Sequence, residues 1–252
     1  MKHIKIILAA ALFLSPLTVQ AADPSSKVNV SANSVANTSA YNWTGVYIGA
    51  NIGSGRMNTD QFGPDQYQGS TAIDAINIDS GTATDLIGGF QAGYDKQFGK
   101  YVLGVQAMLD LSNIDTPTQY PDFPDEHLNS TLKSVGTLTG RVGYLYEPEL
   151  LLYAKGGLAF AKVKHTDNYQ VDVDPFYGES TNTQSGFTIG AGFEYELNAH
   201  MSILAEYNHL DFGKKTTSLN YTGTGIWWDS TSWKYEYKHH LDSVLVGVNY
   251  RF

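Results

Sequence analysis

Asp242-Ser-Val-Leu-Val-Gly-Val-Asn-Tyr-Arg-Phe252, the last stretch of the chain, decides how the rest is read. Successive side chains of a β-strand point to opposite faces. Val244, Val246, Val248, Tyr250 and Phe252 therefore share one face, while Gly247, Asn249 and Arg251 share the other, with Leu245 as its one apolar residue. In a soluble sheet the apolar face is covered by a second layer. In a transmembrane barrel it meets lipid, and the opposite face lines a polar interior. One strand is compatible with both, so the decision passes to the residues upstream.

The same alternation recurs seven times. Strands are expected near residues 42–54, 84–98, 101–112, 135–146, 150–163, 186–197 and 200–212. Val46, Ile48 and Ile52 oppose Tyr47 and Asn51; Phe90 and Tyr94 oppose Gln91 and Asp95; Leu103 and Leu109 oppose Gln106 and Asp110. Farther along, Val142 opposes Arg141, Leu152 opposes Lys155, Phe193 opposes Glu194, and Tyr207 opposes Glu206. With the terminal strand the count is eight, and bacterial barrels have even counts.

The connections give separate information. Phe98-Gly-Lys-Tyr101, Glu147-Pro-Glu149 and Leu197-Asn-Ala-His200 read as tight turns. Between them lie long polar connections, near residues 55–83, 113–134, 164–185 and 213–238. Strict alternation of short and long connections is the pattern of an outer-membrane barrel, with turns facing the periplasm and loops the exterior. Trp43, Phe98, Tyr101, Tyr144, Tyr146, Tyr250 and Phe252 fall near the short-turn ends, where an aromatic girdle would meet the headgroups. The expected fold is all-β: a single eight-stranded, antiparallel, up-and-down transmembrane barrel.

Composition agrees with this. The 252 residues include 25 Gly, 17 Tyr and 11 Phe but no Cys, which excludes a disulfide framework and a lipid-modified cysteine anchor. Residues 1–21 read as a cleaved export signal: Lys2 and Lys5, a short apolar run, Pro16, then Val19-Gln-Ala21. Residues 22–40 are small and polar and read as a flexible periplasmic tail, leaving residues 41–252 for the barrel. The net charge of -9 and the acidic loops argue against nucleic acid as a partner.

Several motifs resemble one family. Trp43-Thr-Gly-Val-Tyr-Ile-Gly-Ala-Asn51, Gly89-Phe-Gln-Ala-Gly-Tyr94, Gly140-Arg-Val-Gly-Tyr144, Leu152-Tyr-Ala-Lys-Gly-Gly-Leu-Ala159, Gly190-Ala-Gly-Phe-Glu-Tyr195 and Gly247-Val-Asn-Tyr-Arg-Phe252 are similar to small alphaproteobacterial outer-membrane proteins. That porin-like family includes immunoreactive surface antigens and hemin-binding proteins. The resemblance implies residence in the outer membrane among lipid and lipopolysaccharide, with Phe252 as the signal read by the barrel-assembly machinery. It lies in strands and turns, so it says more about fold than about ligand.

Three functional classes follow from the residues. Arg141, Lys155, Glu194, Glu206 and Arg251 point inward in neighbouring strands, as a structural charge network or, alternatively, a narrow channel for small solutes. Interior glycines such as Gly49, Gly93, Gly143 and Gly192 would leave gaps for water. For catalysis, His200-Met-Ser202 beside Glu196 imitates a hydrolase site but sits at a periplasmic turn, and no metal-ligand or nucleophile motif occurs. An enzyme is therefore not expected. The loops carry the third class, contacts with a host or a ligand. The first three are acidic (Asp60, Asp65, Asp74, Asp79; Asp115, Asp122, Asp125, Glu126; Asp167, Asp172, Asp174, Glu179), without calcium-loop spacing. The fourth holds Lys214, Lys215, Lys234 and Lys238 among Tyr221, Trp227, Trp228, Trp233, Tyr235 and Tyr237, followed by His239 and His240. Haem needs aromatic faces, cations for its propionates and Tyr or His for iron, so Tyr235, Tyr237, His239 and His240 are candidate ligands there. The expected role is a non-catalytic surface protein that supports envelope integrity and presents interaction loops, with hemin or small-ligand binding and solute diffusion as alternatives.

Overall fold

The computed structural model describes residues 42–62, 67–68, 71–72, 77–120, 123–171, 174–222 and 233–252, with side chains within 42–60, 62, 80–117, 129–166, 179–216 and 236–252. The export signal and tail lie outside the described residues, as do most of the acidic loop side chains, Trp227, Trp228 and the side chains of Tyr221, Trp233, Lys234 and Tyr235. Among the described residues there are ten strands: β1 (Gly45–Phe62), β2 (Tyr67–Gln68), β3 (Thr71–Ala72), β4 (Asn77–Phe98), β5 (Tyr101–Tyr120), β6 (Phe123–Glu147), β7 (Leu150–Val171), β8 (Asp174–Glu196), β9 (Met201–Thr222) and β10 (Trp233–Arg251). β2 and β3 form a small separate hairpin; the other eight close into an antiparallel barrel in the order β1-β10-β9-β8-β7-β6-β5-β4. The terminal strand closes the ring, with Tyr47 opposite Arg251 at one end and Phe62 opposite Glu236 at the other.

The turns stand where the sequence places them. Phe98 pairs with Tyr101 across a two-residue turn whose Gly99 has φ +62°, a conformation natural to glycine. The long connections are a correction. Most of residues 55–83, 113–134, 164–185 and 213–238 is strand, so β6 reaches 25 residues and even β1 has 18. Crossing a bilayer takes about 9–11 tilted residues. Roughly half of each hairpin therefore stands beyond the lipid, at the loop end.

The outward face explains why alternation alone missed these extensions. A belt of exposed apolar residues rings the barrel, including Ile48, Ile52, Phe90, Leu109, Leu138, Leu158, Ile189, Val246 and Val248. Toward the loop end each strand then changes polarity in place: Tyr207 gives way to His209 and Asp211, Val244 to Asp242 and His240, Phe160 to Lys162 and Lys164. The inward face changes the other way, to Met57, Ile114, Leu132, Val163, Leu210, Phe212 and Leu241, one buried apolar cluster that also takes in Leu245. Above the belt the barrel is built like a soluble one, polar outside and apolar inside. The expectation of a polar interior thus holds at the belt level, gives way to this apolar cluster, and holds again beyond it at Thr59, Ser130, His165 and His239.

The aromatic girdle also needs one correction. Phe98, Tyr101, Tyr144, Tyr146, Tyr250 and Phe252 are exposed at the turn end, but Trp43 is fully buried. It packs with Val102, Leu145, Leu151 and Tyr153 and closes the lumen there. Its indole N–H donates to the Pro148 carbonyl at 3.1 Å, the partner that a buried indole needs.

Candidate functional site

The most concentrated chemistry lies inside the barrel at the level of the apolar belt. Alternation turns Asp95, Arg141, Lys155, Glu194, Glu206 and Arg251 inward from six strands, and the barrel is narrow enough for them to meet. Glycine in the neighbouring strand makes room for several of them. Asp95 stands opposite Gly45 and Gly104, Lys155 opposite Gly190, and Glu206 opposite Gly192. A Cβ on Gly190 would come within 3.3 Å of the Lys155 side chain.

Arg141 is the centre of the network. Its Nε donates to Asp95 Oδ1 at 2.8 Å and its Nη2 to Asp95 Oδ2 at 2.6 Å, a bidentate fork. Nη1 reaches Glu194 Oε2 at 3.0 Å, and the rings of Tyr47 and Tyr153 flank the guanidinium at 5.1 and 4.8 Å. Arg251 Nη2 donates to the same Asp95 oxygen at 2.9 Å, and its Nη1 caps the Trp43 carbonyl at 2.7 Å. The second Glu194 oxygen accepts from Ser202 at 2.6 Å and Asn249 at 2.9 Å.

A second group adjoins it. Lys155 Nζ donates to Glu206 Oε1 at 2.8 Å and to Gln106 Oε1 at 3.0 Å. Tyr153 and Asn208 donate to Glu206 at 2.9 and 3.0 Å. Asn51 links Gln91 and Asp110 at 2.7 and 3.0 Å. Each ion is compensated by opposite charge and by neutral donors, the condition under which buried ions are tolerated. The five residues taken from the sequence as the network are thus brought together. Asp95, Asp110, Tyr47 and Tyr153 were left out of that set, although inward alternation at each was the signal that could have added them.

The interior glycines do not leave the gaps expected of them. A Cβ at Gly93 would strike the Tyr47 hydroxyl, and one at Gly49 the Asn249 amide. One at Gly143 would lie 2.6 Å from Leu151, and one at Gly192 2.8 Å from the Tyr153 hydroxyl. Those positions are occupied by neighbouring side chains, which is why the backbone there must carry none.

The remaining candidates are dispersed. Ser202 turns inward onto Glu194, while His200 is exposed, with its Nδ1 donating to the Arg251 carbonyl at 3.0 Å, so His200-Met-Ser202 is not a nucleophile–base pair. Of the eight residues named for haem, the six with described side chains do not converge either, and the side chains of Lys234 and Tyr235 lie outside the described residues. Tyr237 and His239 are buried in the lumen, whereas Lys214, Lys238 and His240 are on the outer wall and Lys214 pairs with Glu236 at 3.5 Å. Strand periodicity divides the set between two faces of one wall. Beside it, His209 and Asp242 pair across β9 and β10 at 2.8 Å, with His240 and Asp211 at 3.5 Å.

Comparison with known proteins agrees with this construction. The chain is 30% identical over 226 residues to the 31 kDa outer-membrane immunogenic protein of Brucella melitensis, covering 88% of this chain and 89% of that protein. It is 28% identical over 214 residues to a 22 kDa outer membrane protein of Rhizobium leguminosarum, covering 84% and 80%. Among solved structures, outer membrane protein OprG of Pseudomonas aeruginosa aligns with TM-score 0.53 at 15% identity, over 84% of this chain and 98% of that one. The outer membrane protease OmpT of Escherichia coli gives 0.51 at 9%, over 82% and 97%, a likeness of fold alone. The apolar belt therefore lies in the outer membrane, with the short turns toward the periplasm. Since residues 7–252 match the family described as outer membrane protein beta-barrel domain, the chain belongs to that family.

Proposed function

We propose that this protein is a non-catalytic, closed barrel that reinforces the outer membrane and presents a raised rim of strands and loops to the exterior. One observation carries the reading. The lumen is filled in succession by the Trp43 cap, the Arg141 and Lys155 ion networks and the apolar cluster around Ile114, while the strands continue well past the lipid belt. A conducting pore requires a continuous hydrated path, and buried side chains that cross the lumen at each of these levels argue against one. The rim, by contrast, offers titratable and polar residues to the exterior, including Lys162, Lys214 and Thr183. Function in such proteins concentrates in what a rigid scaffold holds out.

Planar bilayer recordings on the purified, refolded protein test this. The expected result is no discrete channel steps, together with labelling of Lys162 and Lys214 by a membrane-impermeant amine reagent on intact cells. Stable unitary conductance, lost on adding bulk at the Arg141 level, overturns the closed-barrel reading in favour of a small-solute channel.

A further inference from the structure

In the lumen beyond the apolar cluster, two histidines face each other from different walls. His165 on β7 and His239 on β10 are each 1% exposed, with ring centroids 5.7 Å apart and planes inclined by 29°. The Tyr237 ring stacks on His165 at 4.3 Å and completes the cluster. Each imidazole is anchored through Nδ1 to a hydroxyl of the adjoining strand: His165 to Ser130 at 3.0 Å and His239 to Thr59 at 3.0 Å. Nδ1 and Nε2 lie on different edges of the ring, so this anchoring turns both Nε2 atoms away from the wall hydroxyls. Among the described residues neither Nε2 has a hydrogen-bond partner, although both are buried.

A buried ring nitrogen without a partner carries an uncompensated desolvation cost. Two such atoms in one cluster mark a place for a shared ligand. The state of the rings narrows the choice. Both lie five residues beyond the last lipid-facing residue of their strands, Phe160 and Val244, and so outside the membrane span. Burial lowers His165 from 6.5 to about 4 and His239 to about 3, the latter also through the nearby His165 and His240. The rings are therefore neutral at neutral pH. In the tautomer whose Nδ1–H donates to the hydroxyl, Nε2 presents a lone pair, the form in which histidine binds metal. The hydroxyls hold the ring orientation, the part that outer partners play in such sites.

We propose that His165 and His239 bind one borderline divalent transition-metal ion, of the Cu(II) or Zn(II) class, through their Nε2 atoms inside the extracellular half of the barrel. The spacing suits it. A metal–nitrogen bond is about 2.0–2.1 Å, which places the centroids of two imidazoles sharing one ion about 5–6 Å apart. No carboxylate among the described residues pairs with either ring, and two neutral imidazoles disfavour hard cations such as calcium. Among the described residues no group of three or more His, Cys, Asp or Glu converges into a metal cage. The protein thus supplies two imidazoles, and water completes the shell. Bound there, the ion ties β7 to β10 across the lumen, so its occupancy stiffens the rim that the two strands support.

The test uses the full mature chain, refolded in detergent without a polyhistidine tag and titrated with Cu(II) and Zn(II). The outer-wall pair His209 and His240 has a similar ring separation of 6.0 Å and must be separated from the luminal pair. One equivalent should bind, with nitrogen hyperfine structure in the Cu(II) electron paramagnetic resonance spectrum and a raised urea midpoint. The H165N/H239N variant should lose at least about a hundredfold in affinity, beyond the usual loss for an outer-shell change. H209N/H240N should retain it. T59V and S130A, which keep both imidazoles, should weaken binding about tenfold. Folding is checked by heat-modifiable migration. If H165N/H239N does not fold, Cu(II)-induced broadening of the His165 and His239 ring resonances in the parent protein takes its place, and these should broaden first. No stoichiometric binding by the parent, or equal binding by H165N/H239N, overturns the proposal. The first result would leave water as the occupant, and loss only in H209N/H240N would place the ion on the outer wall.

Discussion

Arg141 shows how much a single buried residue can hold. It satisfies Asp95 and Glu194 at once, and both carboxylates are inaccessible to solvent. Replacing it with methionine leaves two acids short of their main partner, and breaking a buried pair costs about 3–5 kcal/mol. Urea unfolding in lipid should show that loss for R141M and a smaller one for N249A, since Asn249 gives Glu194 only one of its several donors. Equal midpoints for the two variants would remove Arg141 from the centre of the network. The luminal histidines make a second prediction, now of pH dependence. Their folded values lie below the ordinary 6.5, so between those values the unfolded chain binds more protons than the folded one. Their contribution is fully present above about pH 6.5 and is lost as pH falls toward about 4 and 3. Metal-free protein should lose on the order of a few kcal/mol over that window, with a shallower slope in H165N/H239N. Identical slopes would mean that neither ring is held neutral.

At the scale of a strand, the deciding quantity is where the outward face leaves lipid. On β1 the outward residues run Ile48, Ala50, Ile52, then Ser54 and Arg56. Arginine on the lipid face costs about 2–4 kcal/mol near the midplane and about 0–1 near an interface. Ile48→Arg and Val246→Arg should therefore destabilise by the larger amount and Ser54→Arg by the smaller, read from urea midpoints in vesicles. A ranking with Ser54→Arg worst would move the bilayer boundary. The same polarity change accounts for the strands being longer than their alternation suggested. Ser180, Thr181 and Thr183 in β8 carry little apolar signal, yet they pair in register with β7 and continue the ladder.

For the molecule as a whole, closure is the last step of construction. β10 must pair with β1, and its final residues bring Arg251 to Asp95 and the Phe252 amide to the Val46 carbonyl at 3.0 Å. The Phe252 side chain is exposed at the periplasmic end and its ring meets that of Tyr250 edge-on, with centroids 5.1 Å apart. Its removal should therefore change stability little but slow assembly. In cells, the deletion should leave unfolded, non-heat-modifiable protein in the periplasm, while the same chain refolds normally in detergent. Normal accumulation of folded protein in the outer membrane would show that Phe252 has no part in assembly.

The sequence by itself determined the eight strands, their lipid faces and the three short turns, because a two-residue period and turn chemistry are local properties. Val246 faces lipid and Arg141 faces the lumen whatever their partners are. Alternation also named five members of the ion network, although not that Asp95 joins both arginines. Only the tertiary structure decided what meets across the lumen. Trp43 is a plug and not a girdle residue because the ring of strands closes around it. Gly93 is filled by Tyr47, from the neighbouring strand, and His165 finds His239 from 74 positions away. Such contacts depend on the stagger and closure of the barrel, which no single strand encodes. The fourth-loop residues make the same point in reverse: adjacent in sequence, Tyr237 and Lys238 are separated by the wall that they help to build.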